Sequence, residues 1–311
     1  MRISINIGGD VTATPTPPSA VAEQAVAAEA AGFPAAWTTH FMRGTDSFPI
    51  IAAAGVRTST IDLGIGIVPT YPRHPYTMAQ EAATVQSLIG GRLTLGIGVS
   101  HKPIMEGMFG FDFTAPAAHM REYLQVLGPL LRDGQVSHQG ERYQVEAGFN
   151  IVGFSPVPIV VGALGPAMLR VAGELADGTV TWLAGTKGIA EHIVPTLAKA
   201  AADAGRPSPR VIVGLPAVIC EDLGRAREAL DAAFARYPTL ANYQKQMARE
   251  GVTSVADVCL CGPRERVLGQ LRELRDAGAT ELWAVPIDVP GDPDSTAAAT
   301  TEFLASLAPA L

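Results

Sequence analysis

The stretch VPIVVGALGPAMLRVAGELADG, from Val157 to Gly178, decides the fold of this chain. It opens with an apolar run, continues through a turn bounded by Gly162 and Gly165, and enters a helix at Pro166. Proline is favoured at the first helical position, because its missing N–H would have no partner there. The stretch therefore predicts a buried strand, a tight turn and a helix in succession.

The turn between this strand and its helix predicts an anion-binding site. The free N–H groups of a first helical turn, together with the helix dipole, favour negative charge. Gly162 and Gly165 carry no side chain, so a phosphate can approach the backbone closely there. An ordinary strand-to-helix turn is the alternative, and two glycines alone do not distinguish these interpretations.

The same alternation of strand and helix runs through the whole chain of 311 residues. Strands are predicted at Arg2–Ile7, Ala35–Thr39, Ile61–Val68, Leu93–Val99, Pro158–Val161, Thr179–Leu183, Arg210–Cys220 and Glu281–Val285. Because each is nearly continuously apolar and is followed by helical residues, we predict a parallel sheet covered on both faces. A single (β/α)₈ TIM barrel over residues 1–311 fits best. An open doubly wound sheet is the alternative, but no GxGxxG fingerprint opens a helix.

Several helices and one interruption can also be placed. Helices are predicted at Ser19–Ala31, Pro49–Thr58, Thr77–Leu88, after Pro116, up to Ala204, over about Leu223 to Glu250, and at Pro263–Ala277 and Ser295–Leu307. The segment Val136–Val152 breaks the alternation and is typical of a hairpin or irregular insertion, with Gly140 in its turn. We therefore expect an insertion near residues 135–155.

Composition excludes several classes of function. A net charge of −7 argues against a nucleic-acid partner, and no apolar run is long enough to span a membrane. Three cysteines without a disulfide pattern suit a reducing compartment, and the N-terminus enters a strand directly, so a cytoplasmic protein is expected. The histidines form no HxxxH pair, so no metal site is predicted.

In a barrel of this kind the site lies at the carboxyl ends of the strands. His40 and His101 each follow a strand end, where a neutral imidazole can take or give a proton near pH 7. A structural histidine is the alternative for each. Trp182 also ends a strand and would form a wall of a substrate pocket, as would Phe41. Glu106 either faces this pocket or forms an i,i+4 ion pair with Lys102.

Glycines interrupt two neighbouring strands, at Gly64, Gly66, Gly96 and Gly98. A glycine weakens a strand unless a bulge or a close approach requires it. If the carboxyl-terminal halves of these strands carry no bulky side chains, they would leave room for a flat ring. Tight packing between barrel layers is the alternative.

Four segments together resemble the bacterial luciferase-like superfamily, and most closely its deazaflavin (coenzyme F420)-dependent oxidoreductases. They are EAAGFPAAWTTHF (Glu29–Phe41), the segment Gly64–His101, PIVVGALGPAMLRVAGELADG (Pro158–Gly178) and CGPRERVLGQLRELRDAGATELW (Cys261–Trp283). The resemblance covers most of residues 1–290.

This resemblance implies a barrel that binds F420 at the carboxyl ends of its strands. His40 would lie beside the deazaflavin ring as proton donor, proton acceptor or hydrogen-bond partner. The backbone at Ile65-Gly66 would form a bulge behind the ring, often with a non-prolyl cis peptide. The other residues implied in cofactor binding are Ile67, Val68, Gly98, Val99, Ser100, His101 and, around the phosphate, Gly162, Ala163, Leu164, Gly165 and Pro166.

Three positions depart from the family pattern. Thr39 stands where an acidic residue often precedes the histidine. His101 stands where members that act on sugar phosphates have a glutamate, and Trp182 and Leu183 stand where those members use basic residues. We therefore expect a less charged, aromatic or lipophilic substrate.

The predicted function is hydride transfer between the deazaflavin C5 and a small organic substrate at a C=C, C=N or carbonyl/alcohol group. One alternative is an FMN-dependent monooxygenase on the same barrel. Another is a non-catalytic cofactor- or ligand-binding barrel. The family habit implies a homodimer.

Overall fold

A computed structural model describes residues 1–8, 16–292 and 297–308. Its strands are β1 (Arg2–Asn6), β2 (Ala35–Thr38), β3 (Asp62–Pro69), β4 (Leu93–Gly98), β5 (Gln135–Gln139), β6 (Gln144–Gly148), β7 (Ile159–Gly162), β8 (Gly178–Trp182), β9 (Arg210–Ile219), β10 (Leu260–Gly262) and β11 (Glu281–Pro286). The eight predicted strands correspond to β1–β4, β7–β9 and β11, each within a few residues of its predicted bounds.

These eight parallel strands form a closed barrel. Their order is β1-β2-β3-β4-β7-β8-β9-β11, and β11 pairs with β1 to complete the circle. Closure on the other side is made by β8 and β9, where Gly178 pairs with Arg210 and Trp182 with Gly214. The predicted TIM barrel is confirmed, and the open doubly wound sheet is wrong.

Helices cover the outside of the barrel. They are α1 (Pro18–Ala30), α2 (Ser47–Gly55), α3 (Pro75–Leu88), α4 (Lys102–Met105), α5 (Pro116–Asp133), α6 (Pro166–Leu175), α7 (Thr186–Gly188), α8 (Val194–Asp203), α9 (Leu223–Ala233), α10 (Ala241–Glu250), α11 (Arg264–Asp276) and α12 (Ala297–Leu307). Single turns of other helix types lie at Ile189–Ile193, Tyr237–Thr239 and Val255–Val258. Helix α1 begins at Pro18, one residue before the predicted start at Ser19. The predicted start of the last helix, Ser295, lies outside the described residues.

Two features interrupt the regular alternation. The predicted insertion is an antiparallel hairpin of β5 and β6, in which Gly140 N–H donates to the Tyr143 carbonyl at 2.9 Å. The short strand β10, which the sequence did not predict, pairs in parallel with the end of β9 from Leu260 to Gly262. Three residues are too few to show a strand periodicity, so only the pairing with β9 reveals this strand.

Inside the barrel, towards the amino-terminal ends of the strands, lie the carboxylate of Glu281 and the indole rings of Trp37 and Trp283. Glu281 is 1% exposed and accepts from Trp37 Nε1 at 2.8 Å, from Ser4 Oγ at 2.5 Å and from Arg210 Nη2 at 2.9 Å. Above it the rings of Trp37 and Trp283 lie 5.9 Å apart, centroid to centroid. A buried carboxylate with these partners has its hydrogen-bonding capacity satisfied.

The strand glycines make room for side chains of the protein itself. A Cβ on Gly64 would collide with Trp37, and one on Gly66 would meet Trp283. On the next strand, a Cβ on Gly96 would strike the carbonyl of Ile65. Tight packing within the barrel therefore uses the Cβ space at all three positions, as the alternative interpretation predicts, and of the three only Gly66 also lines the cleft described below.

No helix within the described ranges is long and apolar enough to cross a membrane. Across the same ranges, no three or more His, Cys, Asp or Glu side chains come together in a way that could hold a metal ion.

Candidate active site

A cleft of about 1210 Å³ opens at the carboxyl ends of the barrel strands. It is lined by side chains or backbone from the ends of β2, β3, β4, β7 and β8 and from residues 236–243, which lead into α10. The predicted site residues among its lining are His40, Phe41, Gly66, Ile67, Val99, Ser100, His101, Gly162, Ala163, Leu164, Gly165, Pro166 and Trp182. The rule that sites lie at this end of the barrel therefore gathers most of the predicted set into one place.

Four predicted site residues lie outside this lining. Ile65 and Val68 are fully buried, and their side chains belong to the core. Gly98 is buried against the Ile67 side chain, which occupies the space where its Cβ would stand. Glu106 is exposed and forms an i,i+4 ion pair with Lys102 at 3.6 Å, so of its two predicted roles the structure shows the ion pair.

The floor of the cleft contains an irregularity in β3. The pairing of β3 with β4 shifts register between Ile65 and Val68, and the Gly66–Ile67 peptide bond is cis. The bulge lies where the family resemblance implies one. Its effect is to turn Ile67 towards Gly98 and Gly162, so an apolar side chain forms this part of the floor.

The turn before α6 leaves the start of that helix uncapped and open. Gly165 precedes the helix with φ −91°, no side chain caps α6, and a Cβ on Gly165 would meet nothing within 4 Å. The first N–H groups of a helix have no partner within it. His192 supports the turn from outside, because its Nε2–H donates to the Leu164 carbonyl at 3.0 Å. The geometry suits a phosphate or carboxylate at this turn.

His40 is held firmly at the opposite side of the cleft. Its side chain is only 7% exposed, and Nδ1 lies 3.0 Å from Ser47 Oγ. On the other edge of the ring, Arg73 Nη1 lies 3.5 Å from Nε2. The Ser47 backbone N–H also lies 3.4 Å from Nδ1, so each ring nitrogen faces an N–H donor, an arrangement that disfavours the doubly protonated, charged ring.

The surroundings of His40 keep its ring neutral. Burial and the nearby Arg73 guanidinium lower the pKa of His40, and Asp46 opposes them more weakly. Arg73 itself is fixed by Asp46 and, through Nε at 3.2 Å, by Glu81. A neutral imidazole of this kind can accept a proton near pH 7.

The strands around the cleft end in strained backbone at two positions. Ser100, just beyond β4, has φ 60°, and Leu183, just beyond β8, has φ 54°. Residues other than glycine rarely adopt this left-handed backbone conformation, and those that do cluster at functional sites. Both positions flank residues of the cleft, His101 and Trp182.

One part of the cleft lining, contributed by residues 234–243, was not predicted from the sequence. Residues 234–243, here called the cap, run from the end of α9 into the first turn of α10. They contribute Arg236, Tyr237, Leu240, Asn242 and Tyr243 to the lining. The only sequence signal was three aromatic residues in one helical stretch. The cap packs by aromatic contacts, with Tyr237 4.8 Å from Tyr243 and 6.1 Å from Trp182, centroid to centroid.

Comparison with known proteins places this barrel among its relatives. The sequence profile described as luciferase-like monooxygenase matches residues 1–281. A protein of Archaeoglobus fulgidus named 5,10-methylenetetrahydromethanopterin reductase is 28% identical over 294 residues, which cover 83% of this chain and 86% of the relative. An F420-dependent glucose-6-phosphate dehydrogenase of Nakamurella multipartita is 30% identical over 247 residues, covering 74% and 72%.

The fold similarity extends over the full chain. The solved structure of an F420-dependent secondary alcohol dehydrogenase, in complex with an F420-acetone adduct, aligns with a TM-score of 0.79 at 18% identity. The alignment covers 99% of this chain and 98% of that one, which shows a shared fold. Since the family profile spans nearly the whole barrel, the chain belongs to the luciferase-like monooxygenase family.

Proposed function

We propose that this chain is an F420-dependent oxidoreductase that moves a hydride between the deazaflavin C5 and a small organic substrate. One observation carries the proposal: the open helix end at Gly165 and the neutral imidazole of His40 line the same apolar cleft. The relatives named as F420-dependent enzymes support the choice of cofactor.

The residues present fit such a cofactor. A phosphate would bind at the N-terminus of α6, where Gly165 leaves space and helix N–H groups are free to donate. Ile67, Val99 and Ala163 offer apolar contacts for a flat ring. Bound F420 supplies the hydride donor or acceptor, while the protein supplies binding and orientation.

The role proposed for His40 is proton transfer at the substrate. In the oxidising direction its neutral ring accepts the proton of an alcohol or amine as the hydride leaves. In the reducing direction, at a C=C, C=N or carbonyl group, the protonated ring returns that proton to the substrate. The Ser47 and Arg73 contacts hold the ring in one orientation for either step.

A sugar phosphate is not the substrate that this cleft favours. Where the family resemblance implies a glutamate and basic residues for such substrates, this chain has His101, Trp182 and Leu183. The cleft walls near them are aromatic. The proposed substrate is therefore largely apolar or aromatic.

A second candidate is an FMN-dependent monooxygenase, because the matching family is described by that activity. The same helix end would suit the FMN phosphate equally well. A third candidate, a barrel that binds a cofactor or ligand without catalysis, would use the cleft alone.

Equilibrium titration of the purified protein with F420 and with FMN tests the proposal. Saturable F420 binding without FMN binding, and turnover of reduced F420 with a substrate panel but no oxygen uptake, are expected. Preferential FMN binding with oxygen consumption would establish the monooxygenase instead. Saturable binding with no turnover across the panel would favour the non-catalytic barrel. A homodimer in the cytoplasm also stays a prediction, and sedimentation of the protein measures its oligomeric state.

A further inference from the structure

Several polar side chains on the cap side of the cleft have no partner within the described residues. The exposed side chain of Arg236 lines the cleft and forms no ion pair within the described residues. The Tyr243 hydroxyl and the His101 ring form no hydrogen bond there either, although Tyr243 is only 9% exposed. All three groups line one cleft, and the rings of His101 and Tyr243 lie 6.1 Å apart. Arg236 is exposed and His101 half-buried, but Tyr243 is buried, and polar groups of buried residues normally have partners, so the Tyr243 hydroxyl points to a ligand at this place.

The Tyr237 hydroxyl adds a fourth group. The Trp182 indole N–H is buried and lies towards this hydroxyl, but the geometry falls short of a full hydrogen bond. Burial raises the pKa of Tyr237, and the approach of Trp182 lowers it in part. A phenol that receives an N–H on its oxygen must direct its own hydrogen elsewhere. Within the described residues no acceptor takes that hydrogen, and the phenol lines the cleft.

These groups share a chemical character. A guanidinium and an indole can only donate, and a phenol donates readily. Burial and the adjacent Arg236 lower the pKa of His101, so its ring is neutral and adds no second positive charge. Among the described residues that line the cleft, none is Asp or Glu. A ligand that presents acceptor oxygens, and above all a negative charge, matches this side of the cleft.

Several side chains beside these groups are aromatic or apolar. Trp182, Tyr237 and Tyr243 form a connected aromatic wall. Met42 and Met108 line the same cleft. Aromatic walls and methionines bind planar apolar bodies of varied shape.

We infer that the cap is the binding site for a planar, apolar substrate that carries a carboxylate, with the carboxylate bound by Arg236 and the tyrosine hydroxyls. This inference deepens the proposed function and rests on it, since the same cleft would hold the cofactor ring beside the substrate. A carboxylate on a cofactor tail has the same chemistry, and the test below separates the two sources.

The probe pair is trans-cinnamate and its neutral isostere cinnamamide, titrated by tryptophan fluorescence into protein loaded with oxidised F420. Arg236→Gln is expected to weaken cinnamate binding by about tenfold, in line with the loss of a hydrogen bond between charged groups. The same variant should change cinnamamide binding less than about twofold. Tyr243→Phe should weaken both probes, because its hydroxyl would donate to the oxygen that they share.

Arg43→Gln is the matched control, since Arg43 is the other arginine of the cleft lining and also forms no ion pair within the described residues. It should leave cinnamate binding unchanged. If Arg43→Gln weakens cinnamate binding and Arg236→Gln does not, the carboxylate binds near Arg43 and the inference is wrong.

The cofactor arm uses F420 titrations of the same variants. Arg236→Gln should leave F420 affinity unchanged. Loss of F420 affinity with cinnamate affinity intact would assign Arg236 to the cofactor tail and overturn the inference. If the wild-type protein does not bind F420, the proposed function fails, and cinnamate titration of the cofactor-free protein still decides whether the cap binds a carboxylate.

Discussion

Arg73 Nη1 lies 3.5 Å from His40 Nε2, so a permanent positive charge faces the imidazole proposed to move the proton. Arg73 is 16% exposed and is itself neutralised in part by Asp46 and Glu81. A positive charge beside an imidazole disfavours its protonated form. Burial and, after it, this contact with Arg73 lower the pKa of His40 even though Asp46 is close.

Arg73→Gln should raise the pKa of His40. Burial and Arg73 both lower this pKa, and removal of the arginine leaves Asp46 to raise it. For substrate oxidation, which needs the neutral ring, the acidic limb of the kcat/KM profile should therefore move to higher pH. Arg73→Lys, which keeps the charge, is the control and should keep the limb near its wild-type position. A folded Arg73→Gln protein with an unmoved limb would remove Arg73 from this role.

His40→Ala should lower turnover by about 10²–10⁴-fold, the usual contribution of a general acid or base. F420 affinity should change little, because the proposed phosphate site is at α6. His74→Asn is the control: His74 is exposed, lies outside the cleft lining and caps α3 through Tyr76 N–H, a bond that asparagine can also form. Equal turnover in the wild-type and His40→Ala proteins would show that His40 moves no proton.

Gly165→Asp should weaken F420 binding by at least about tenfold, because a carboxylate would face the phosphate at the helix end. A side chain fits at this position, since φ is −91° and nothing lies within 4 Å of its Cβ. Gly165→Asn is the matched control, with nearly the same shape and no charge. Both residues are favourable N-caps, so stability should not fall in either variant. Equal F420 affinities in the two variants would place the phosphate elsewhere.

Glu29→Gln should lower the free energy of unfolding at pH 7. Glu29 Oε1 accepts from the backbone N–H groups of Ser59 at 2.8 Å, Thr60 at 2.6 Å and Ile61 at 3.0 Å. Burial raises the pKa of Glu29, but these hydrogen bonds more than offset it and lower the pKa to about 2.

The sign of the pH dependence follows from that lowered pKa. The contribution of Glu29 is complete above the pKa of the unfolded chain, 4.5, and is lost as the pH falls towards about 2. Urea unfolding should therefore show a gap between wild type and Glu29→Gln that narrows over this range. Glu23→Gln, which breaks only the surface ion pair with Arg57, should cost no more than about 1 kcal/mol at any pH. A gap that stays constant from pH 7 to pH 2.5 would contradict the assignment.

The open turn before α6 could be predicted because all its determinants are neighbours in the chain. Gly162 and Gly165 bound the turn and Pro166 starts the helix, so the local sequence alone specifies an open helix end. The strand glycines could not be interpreted in the same way. Whether the space over Gly64 or Gly66 is empty depends on Trp37 and Trp283, which come from distant strands.

The sequence by itself determined the architecture and the end of the barrel at which the candidate site lies. Nearly continuous apolar strands, each followed by helical residues, require a covered parallel sheet, and their carboxyl ends must share one edge. Only the tertiary structure decided which side chains meet at that end of the barrel. It brought Arg73 to His40 across 33 positions, folded the cap over Trp182, and turned Glu106 away from the cleft. The physical reason is that periodicity reports which face of an element is buried, whereas side-chain contacts depend on how distant elements pack.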